Sequence, residues 1–136
     1  MKIKKAIGGT ELAKIISIFN QKGGVGKTTT AINLSAAVGL KGKKTLLVDI
    51  DQQGNTTSGY GINKRALNRS SYDVLIGKYG AGDAILHTKF KNIDIIPSNR
   101  QLAGAEVELI EVEHRESQLK KALSLVEEQY DFIFID

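Results

Sequence analysis

Lys22-Gly23-Gly24-Val25-Gly26-Lys27-Thr28-Thr29 follows closely on the apolar run Ile15-Ile16-Ser17-Ile18-Phe19. A glycine-rich turn that leaves a strand and ends in Gly-Lys-Thr is suited to hold phosphate. Its glycines let successive backbone N–H groups point into one concavity, the lysine adds a point charge, and the following helix presents the positive end of its dipole. The expected chemistry is capture of a nucleoside triphosphate by residues 22 to 29.

Two carboxylates stand where such a site needs hard oxygen. The apolar runs Thr45-Leu46-Leu47-Val48 and Phe132-Ile133-Phe134-Ile135 each end in aspartate, at Asp49 and Asp136. Magnesium on a nucleotide takes oxygen ligands and keeps several waters, with a Ser or Thr hydroxyl and carboxylates nearby. Thr28 is the expected direct ligand, Asp136 lies at the end of a hydrophobic strand where the Walker B carboxylate belongs, and Asp49 is expected to act through ordered water.

The loop departs from the standard phosphate loop, which places a glycine five positions before the last one; Gln21 stands there instead. Lys22 at the start of the loop makes it resemble the deviant loop of the ParA/MinD group of ATPases. The segment Asp49-Ile50-Asp51-Gln52-Gln53-Gly54-Asn55 is similar to the switch I of ParA-type, Soj-like partition ATPases, Asp-x-Asp-Pro-Gln-Gly-Asn, with Gln52 replacing the proline. The stretch Asp94 to Pro97 with Arg100-Gln101-Leu102-Ala103-Gly104-Ala105-Glu106, and the approach from Tyr130 to Asp136, extend the resemblance over the chain from Ile15 onward.

That resemblance implies an α/β, three-layer P-loop NTPase fold with a mostly parallel sheet whose C-terminal part is missing. The implied cofactors are ATP and Mg2+. Asp51 would orient the attacking water, Lys27 would hold phosphate, and Lys22 would reach across a two-fold interface to the other subunit's nucleotide. Lys22 would then be a lysine counterpart of an arginine finger, a contact worth roughly 10³–10⁵ in rate when arginine supplies it. The implied partners are a second copy bound on ATP, a ParB-like protein, and nonspecific DNA held mainly by the missing part, with no membrane expected and a cytoplasmic, nucleoid-associated location. Losing proline after Asp51 relaxes the backbone and restores an N–H.

Two other readings stay open. One is a nucleotide-binding module without useful hydrolysis, through truncation or through Gln52. The other is a MinD-like cell-division ATPase, which shares Lys22 and Lys27 but lacks the Gln53-Gly54-Asn55 ending. A relative of the nitrogenase iron protein would need a cluster cysteine, and the chain has none.

The elements expected to position these groups alternate. Residues 15–19 read as a strand buried on both faces at the centre of a parallel sheet. A helix follows from Thr28 to about Leu40, ended by Gly42, and then a strand from Thr45 to Asp49. The span from Asp51 to about Arg69, rich in Gly, Asn, Thr and Ser, reads as an extended loop. Short helices are expected over Ser71 to Ile76, capped by Ser71 or Asp73, and over Gly82 to Leu86, capped by Asp83. A strand at Ile93 to Ile96, a helix from Arg100 to about Ile110, another from about Glu116 to Gln129, and a strand at Phe132 to Ile135 complete the pattern. Such alternation implies ligand binding at the carboxyl ends of parallel strands.

Composition sets the outer bounds. In 136 residues, 41% apolar and 25% charged, there is room for one domain with a real core. Residues 1–14 read as an N-terminal extension and 15–136 as the N-terminal part of a single ATPase domain ending at Walker B. No apolar run approaches a membrane span, and the basic start Met1 to Lys5 lacks the long apolar stretch of a signal peptide. Zero cysteines exclude disulfides and thiolate metal sites. The net charge of +4 permits weak, salt-sensitive attraction to nucleic acid or anionic lipid without establishing it, and the basic clusters read most simply as a solvated surface with two phosphate-facing lysines. His87 and His114 lack ligand spacing and read as surface or packing residues.

Overall fold

The computed structural model of the chain describes residues 11–19, 26–110 and 117–136. Its five-stranded sheet comprises β1 (Lys14–Ser17), β2 (Thr45–Val48), β3 (Leu86–His87), β4 (Ile93–Ile96) and β5 (Phe132–Ile135), in the order β1-β5-β2-β4-β3. The four longer strands run parallel, with Lys14 and Thr45 both opposite Phe132 and Thr45 opposite Ile93; β3 is antiparallel to β4.

Alternation along the strands divides the core between two faces. Leu46, Val48, Ile96 and Ile133 pack with Val74, Ala81, Ala84, Leu123 and Val126 on one side. Leu47, Ile93, Ile95 and Phe134 pack with Ala31 and Tyr60 on the other. The first face is covered by α3 (Ser71–Leu75), α4 (Ala81–Ala84) and α6 (Gln118–Ser124), the second by α1 (Lys27–Leu40) and the short α2 (Asn55–Gly59). Helix, sheet and helix form the three expected layers. Leu46, Leu47, Ile95, Ile96, Ile133 and Phe134 are at most 1% exposed, and full burial of such a side chain contributes about 1.5–3 kcal/mol.

The close seating of α1 depends on Gly39. A Cβ there would stand 2.8 Å from Ile93 Cγ1, so only glycine lets the helix approach β4. The helix ends as expected at Gly42, which has φ +81° and donates to the Gly39 carbonyl at 2.9 Å. Asn92, in the left-handed region at φ 67°, donates from Nδ2 to the same carbonyl at 3.1 Å.

Several expectations are corrected. β1 is not buried on both faces: it is outermost in the described sheet, pairs only with β5, and its four residues are exposed, Ile15 and Ile16 at 39% and 38%. The segment after Asp51 is not all loop, because α2 forms within it and a 3₁₀ turn covers Lys64–Ala66. The cap of α3 is Ser70, whose N–H donates to Asp73 Oδ2 at 2.9 Å. The cap of α4 is Gly80, with Asp83 inside the first turn, and Leu86 starts β3 instead of ending a helix. The last helix stops at Ser124 and gives way to a 3₁₀ turn at Glu127–Gln129. Between β4 and α6 lies α5 (Leu102–Leu109), slightly shorter than expected. Residues 1–10, most of the proposed extension, lie outside the described residues, as does His114.

His87 has a partner. Its Nδ1 lies 2.7 Å from Asp94 Oδ1, and Tyr130 donates its hydroxyl to Asp94 Oδ2 at 2.7 Å. Burial and then the Asp94 carboxylate push the Tyr130 phenol well above its usual range. This cluster lines a cleft of about 940 Å³ at the start of the parallel strands, with Lys43 and Lys44 at its edge.

Candidate functional site

At the opposite end of the sheet, β1, β2 and β5 release the chain toward the start of α1. Gly26 caps α1 with φ 83°, a left-handed conformation that glycine adopts without steric cost. Lys27 and Thr28 occupy the first turn of the helix and face the ends of β2 and β5. Lys27 Nζ lies 3.1 Å from Asp136 Oδ1 and 3.6 Å from Asp51 Oδ2. Thr28 donates its hydroxyl to Asp136 Oδ2 at 3.2 Å. Burial pulls the Lys27 ammonium down, but the Asp136 and Asp51 carboxylates outweigh it and hold its pKa above the usual lysine value.

Lys27, Thr28, Asp51 and Asp136, 109 positions apart at the extremes, are thus brought together. Thr29 is exposed on the next step of α1. Lys22, Gly23, Gly24 and Val25 lie outside the described residues. Asp136 is 3% exposed, and its Oδ1 has no hydrogen-bond partner in good geometry, facing only the Lys27 ammonium. A buried carboxylate oxygen in that condition, beside a threonine hydroxyl, suits a hard cation carried on a phosphate. No cluster of three or more His, Cys, Asp or Glu among the described residues would hold a metal alone.

Asp49 is turned the other way, toward its own loop. Its Oδ1 accepts the Asp51 N–H at 3.1 Å, and its Oδ2 accepts both the N–H and the hydroxyl of Thr57, at 2.9 and 2.6 Å. Burial raises the Asp49 pKa against the opposing pull of these donors.

The loop that carries Asp51 is a tight turn. The Asp51 carbonyl accepts the Gly54 N–H at 2.9 Å, and its Oδ1 accepts the Gln53 N–H at 2.9 Å. Gln52 is therefore at the second position of a four-residue turn, where proline is favoured. Its N–H has no hydrogen-bond partner among the described residues. Gly54, at φ +61°, closes the turn and opens α2, and Lys64 donates to the Gln53 carbonyl at 2.6 Å. The turn thus forms without the proline.

Residues missed by sequence reasoning bind this loop to the sheet. Thr56 donates to Asp136 Oδ2 in a short hydrogen bond, and Ser71 donates to the Asp49 carbonyl at 2.6 Å. Ser98, after β4, donates its hydroxyl to the Asp51 carbonyl and its N–H to Thr57 Oγ1, the latter at 2.9 Å. The available signal was the run Asn55-Thr56-Thr57-Ser58, a density of hydroxyls just past a charged turn.

The sequence profile of a family described as AAA domain matches residues 13–136. The chain is 52% identical over 125 residues to the sporulation initiation inhibitor protein Soj of Bacillus subtilis, covering 92% of this chain and 49% of that protein. It is 49% identical over 125 residues to the chromosome-partitioning ATPase Soj of Treponema pallidum, covering 92% and 48%. Its structure superposes on cobyrinic acid a,c-diamide synthase from Mycobacterium smegmatis with bound ADP and magnesium at a TM-score of 0.89 and 37% identity, over 92% of this chain and 51% of the other. The chain spans about half the length of the curated relatives it matches.

Proposed function

Because the chain belongs to the AAA domain family and has the P-loop fold of ParA/MinD-type NTPases, we propose that it is the nucleotide-binding half of a ParA/Soj-like partition ATPase that uses ATP and Mg2+. One observation carries this reading: Lys27 and Thr28, at the start of α1, meet Asp136 at 3.1 and 3.2 Å, and Lys27 also stands 3.6 Å from Asp51 on the turn after β2. The solved relative bearing ADP and magnesium supports the choice of cofactors.

Each residue has a role derived from its place. The Gly26 turn and the start of α1 offer backbone N–H groups to phosphate oxygens, and Lys27 exchanges its carboxylate partners for them. Thr28 and Asp136 would hold the magnesium, with Asp49 behind them and reaching it only through water. Bound magnesium would neutralise charge gathering on the transferred phosphoryl group. Asp51, on the turn that follows β2, holds a carboxylate oxygen ready to accept a hydrogen bond from the attacking water. Lys22 would complete the site in trans, so that turnover requires an ATP-bound homodimer. A ParB-like protein and nonspecific DNA are the proposed partners, and the proposed location is cytoplasmic and nucleoid-associated. No helix among the described residues is long and apolar enough to cross a membrane.

The switch I ending Gln53-Gly54-Asn55 favours partition over the MinD-like reading, and the intact turn around Gln52 favours hydrolysis over a binding-only module. The test is ATP turnover by the full-length protein with and without DNA. DNA-stimulated phosphate release that vanishes in Lys27→Ala and in Asp51→Ala is expected. Unchanged turnover in both variants refutes the reading.

A further inference from the structure

Asp51 performs its proposed task from a turn, and a turn bounded by glycine is compliant unless something outside it fixes its position. Two internal hydrogen bonds shape this one, from the Gly54 and Gln53 N–H groups, but neither ties it to the sheet. On the β2 side the Asp51 N–H is held by Asp49 Oδ1; on the β4 side the tie comes from Ser98, which follows β4 after Pro97 and is fully buried. Its hydroxyl donates to the Asp51 carbonyl, and its N–H donates to Thr57 Oγ1, which in turn donates to Asp49 Oδ2. The next turn is anchored alongside, since the Ser71 N–H donates to the Pro97 carbonyl at 2.8 Å and the Ser71 hydroxyl to the Asp49 carbonyl.

We infer that Ser98 is a positioning residue for hydrolysis, holding the Asp51 turn in register with the end of β4 so that the Asp51 carboxylate faces the phosphate site. This rests on the functional reading above. Ser98 does not reach the phosphate site itself: it acts on Asp51 through the main chain. The geometry predicts a particular pattern of loss. Deleting the hydroxyl leaves the Gly54 bond to the same carbonyl and the Ser98 N–H bond to Thr57, so the turn survives but loses its lateral anchor. Nucleotide affinity, set by Lys27, Thr28 and the glycine loop, is untouched. A displacement of the order of 1 Å in a group that orients a reactant costs up to about 10²-fold in rate.

The test compares full-length wild type, Ser98→Ala and Ser98→Thr. It measures steady-state ATP turnover, together with amide hydrogen exchange over residues 51–57 in nucleotide-free protein. The expected result for Ser98→Ala is a kcat lowered about 5- to 50-fold with KM for ATP within twofold, and faster exchange at the Gln53 and Gly54 amides, which are bonded within the turn. Ser98→Thr, which keeps the hydroxyl, restores both. A kcat within twofold of wild type, a loss confined to KM, or no rescue by threonine overturns the inference. If wild type itself releases no phosphate, the functional reading fails, and exchange alone then decides the anchor: unchanged protection in Ser98→Ala removes it.

Discussion

Thr57→Val isolates the bond network that holds the Asp49–Asp51 loop, because valine matches threonine in shape and removes only the hydroxyl. Thr57 is fully buried, and its Oγ1 makes two hydrogen bonds, donating to the Asp49 carboxylate at 2.6 Å and accepting from the Ser98 N–H at 2.9 Å. A hydrogen bond to a charged group is worth about 1.5–3 kcal/mol, and a buried N–H left without a partner costs about 1–3 kcal/mol. The added methyl returns roughly 0.8 kcal/mol. The net loss expected is about 2–5 kcal/mol. With a urea slope of about 2 kcal/mol/M, the unfolding midpoint falls by about 1–2.5 M. Thr57→Ser is the control, keeping both hydrogen bonds and deleting one methyl, at about 1 kcal/mol. Urea unfolding followed by circular dichroism gives the order of the two. If Thr57→Val is as stable as Thr57→Ser, the hydroxyl network does not hold the loop, and the account of Asp49 as an anchored residue is refuted.

Gln52→Pro is expected to stabilise the protein by about 0.4–1 kcal/mol, since proline suits the second turn position and no hydrogen bond is lost; a scanning calorimetry midpoint lower than wild type would show that the turn cannot take the ring. Burial holds the Asp49 pKa above its unfolded value, so the native state keeps its proton to higher pH than the unfolded chain does. Stability contributed by this group is therefore lost as pH rises from about 4 through the folded pKa. Urea unfolding between pH 4 and 7 should show a slope that is more negative in wild type than in Asp49→Asn; parallel profiles would contradict the shift.

The legible parts of the chain were those where local pattern and tertiary demand agree. β2, β4 and β5 are apolar runs, α1 has its glycine signals at both ends, and each lies where its residues predicted. α2 was illegible because Asn, Thr, Ser and Gly favour caps and turns over helix interiors. It forms because Thr56 and Thr57 are captured by Asp136 and Asp49, 80 and 8 positions away. β1 reads as a central strand from its apolar run, but strand order is not a property of the strand, and among the described strands the topology puts it outermost. Within the site, Lys27, Thr28, Asp51 and Asp136 carry motif spacing. Ser98 does not: a single hydroxyl after a proline acquires its meaning only when β4 is laid beside β2.

The strand order also governs the sequence in which this molecule can be built. β5 lies between β1 and β2, so the strand made first finds its neighbour only when the strand made last of the five has formed. The β2–β4 pair, spanning residues 45 to 96, can assemble while residues 132–135 are still unsynthesised, whereas the Thr28–Asp136 contact closes 108 positions of chain. Closing a loop of that length costs about 4 kcal/mol in chain entropy before any contact repays it, which makes it a late event. Until β5 forms, the Lys27–Thr28 start of α1 therefore lacks the Asp136 carboxylate it contacts, although the far end of the helix can already seat Gly39 against Ile93 on β4. A nucleotide bound among these residues therefore stabilises only states in which β5 has already joined β1 and β2.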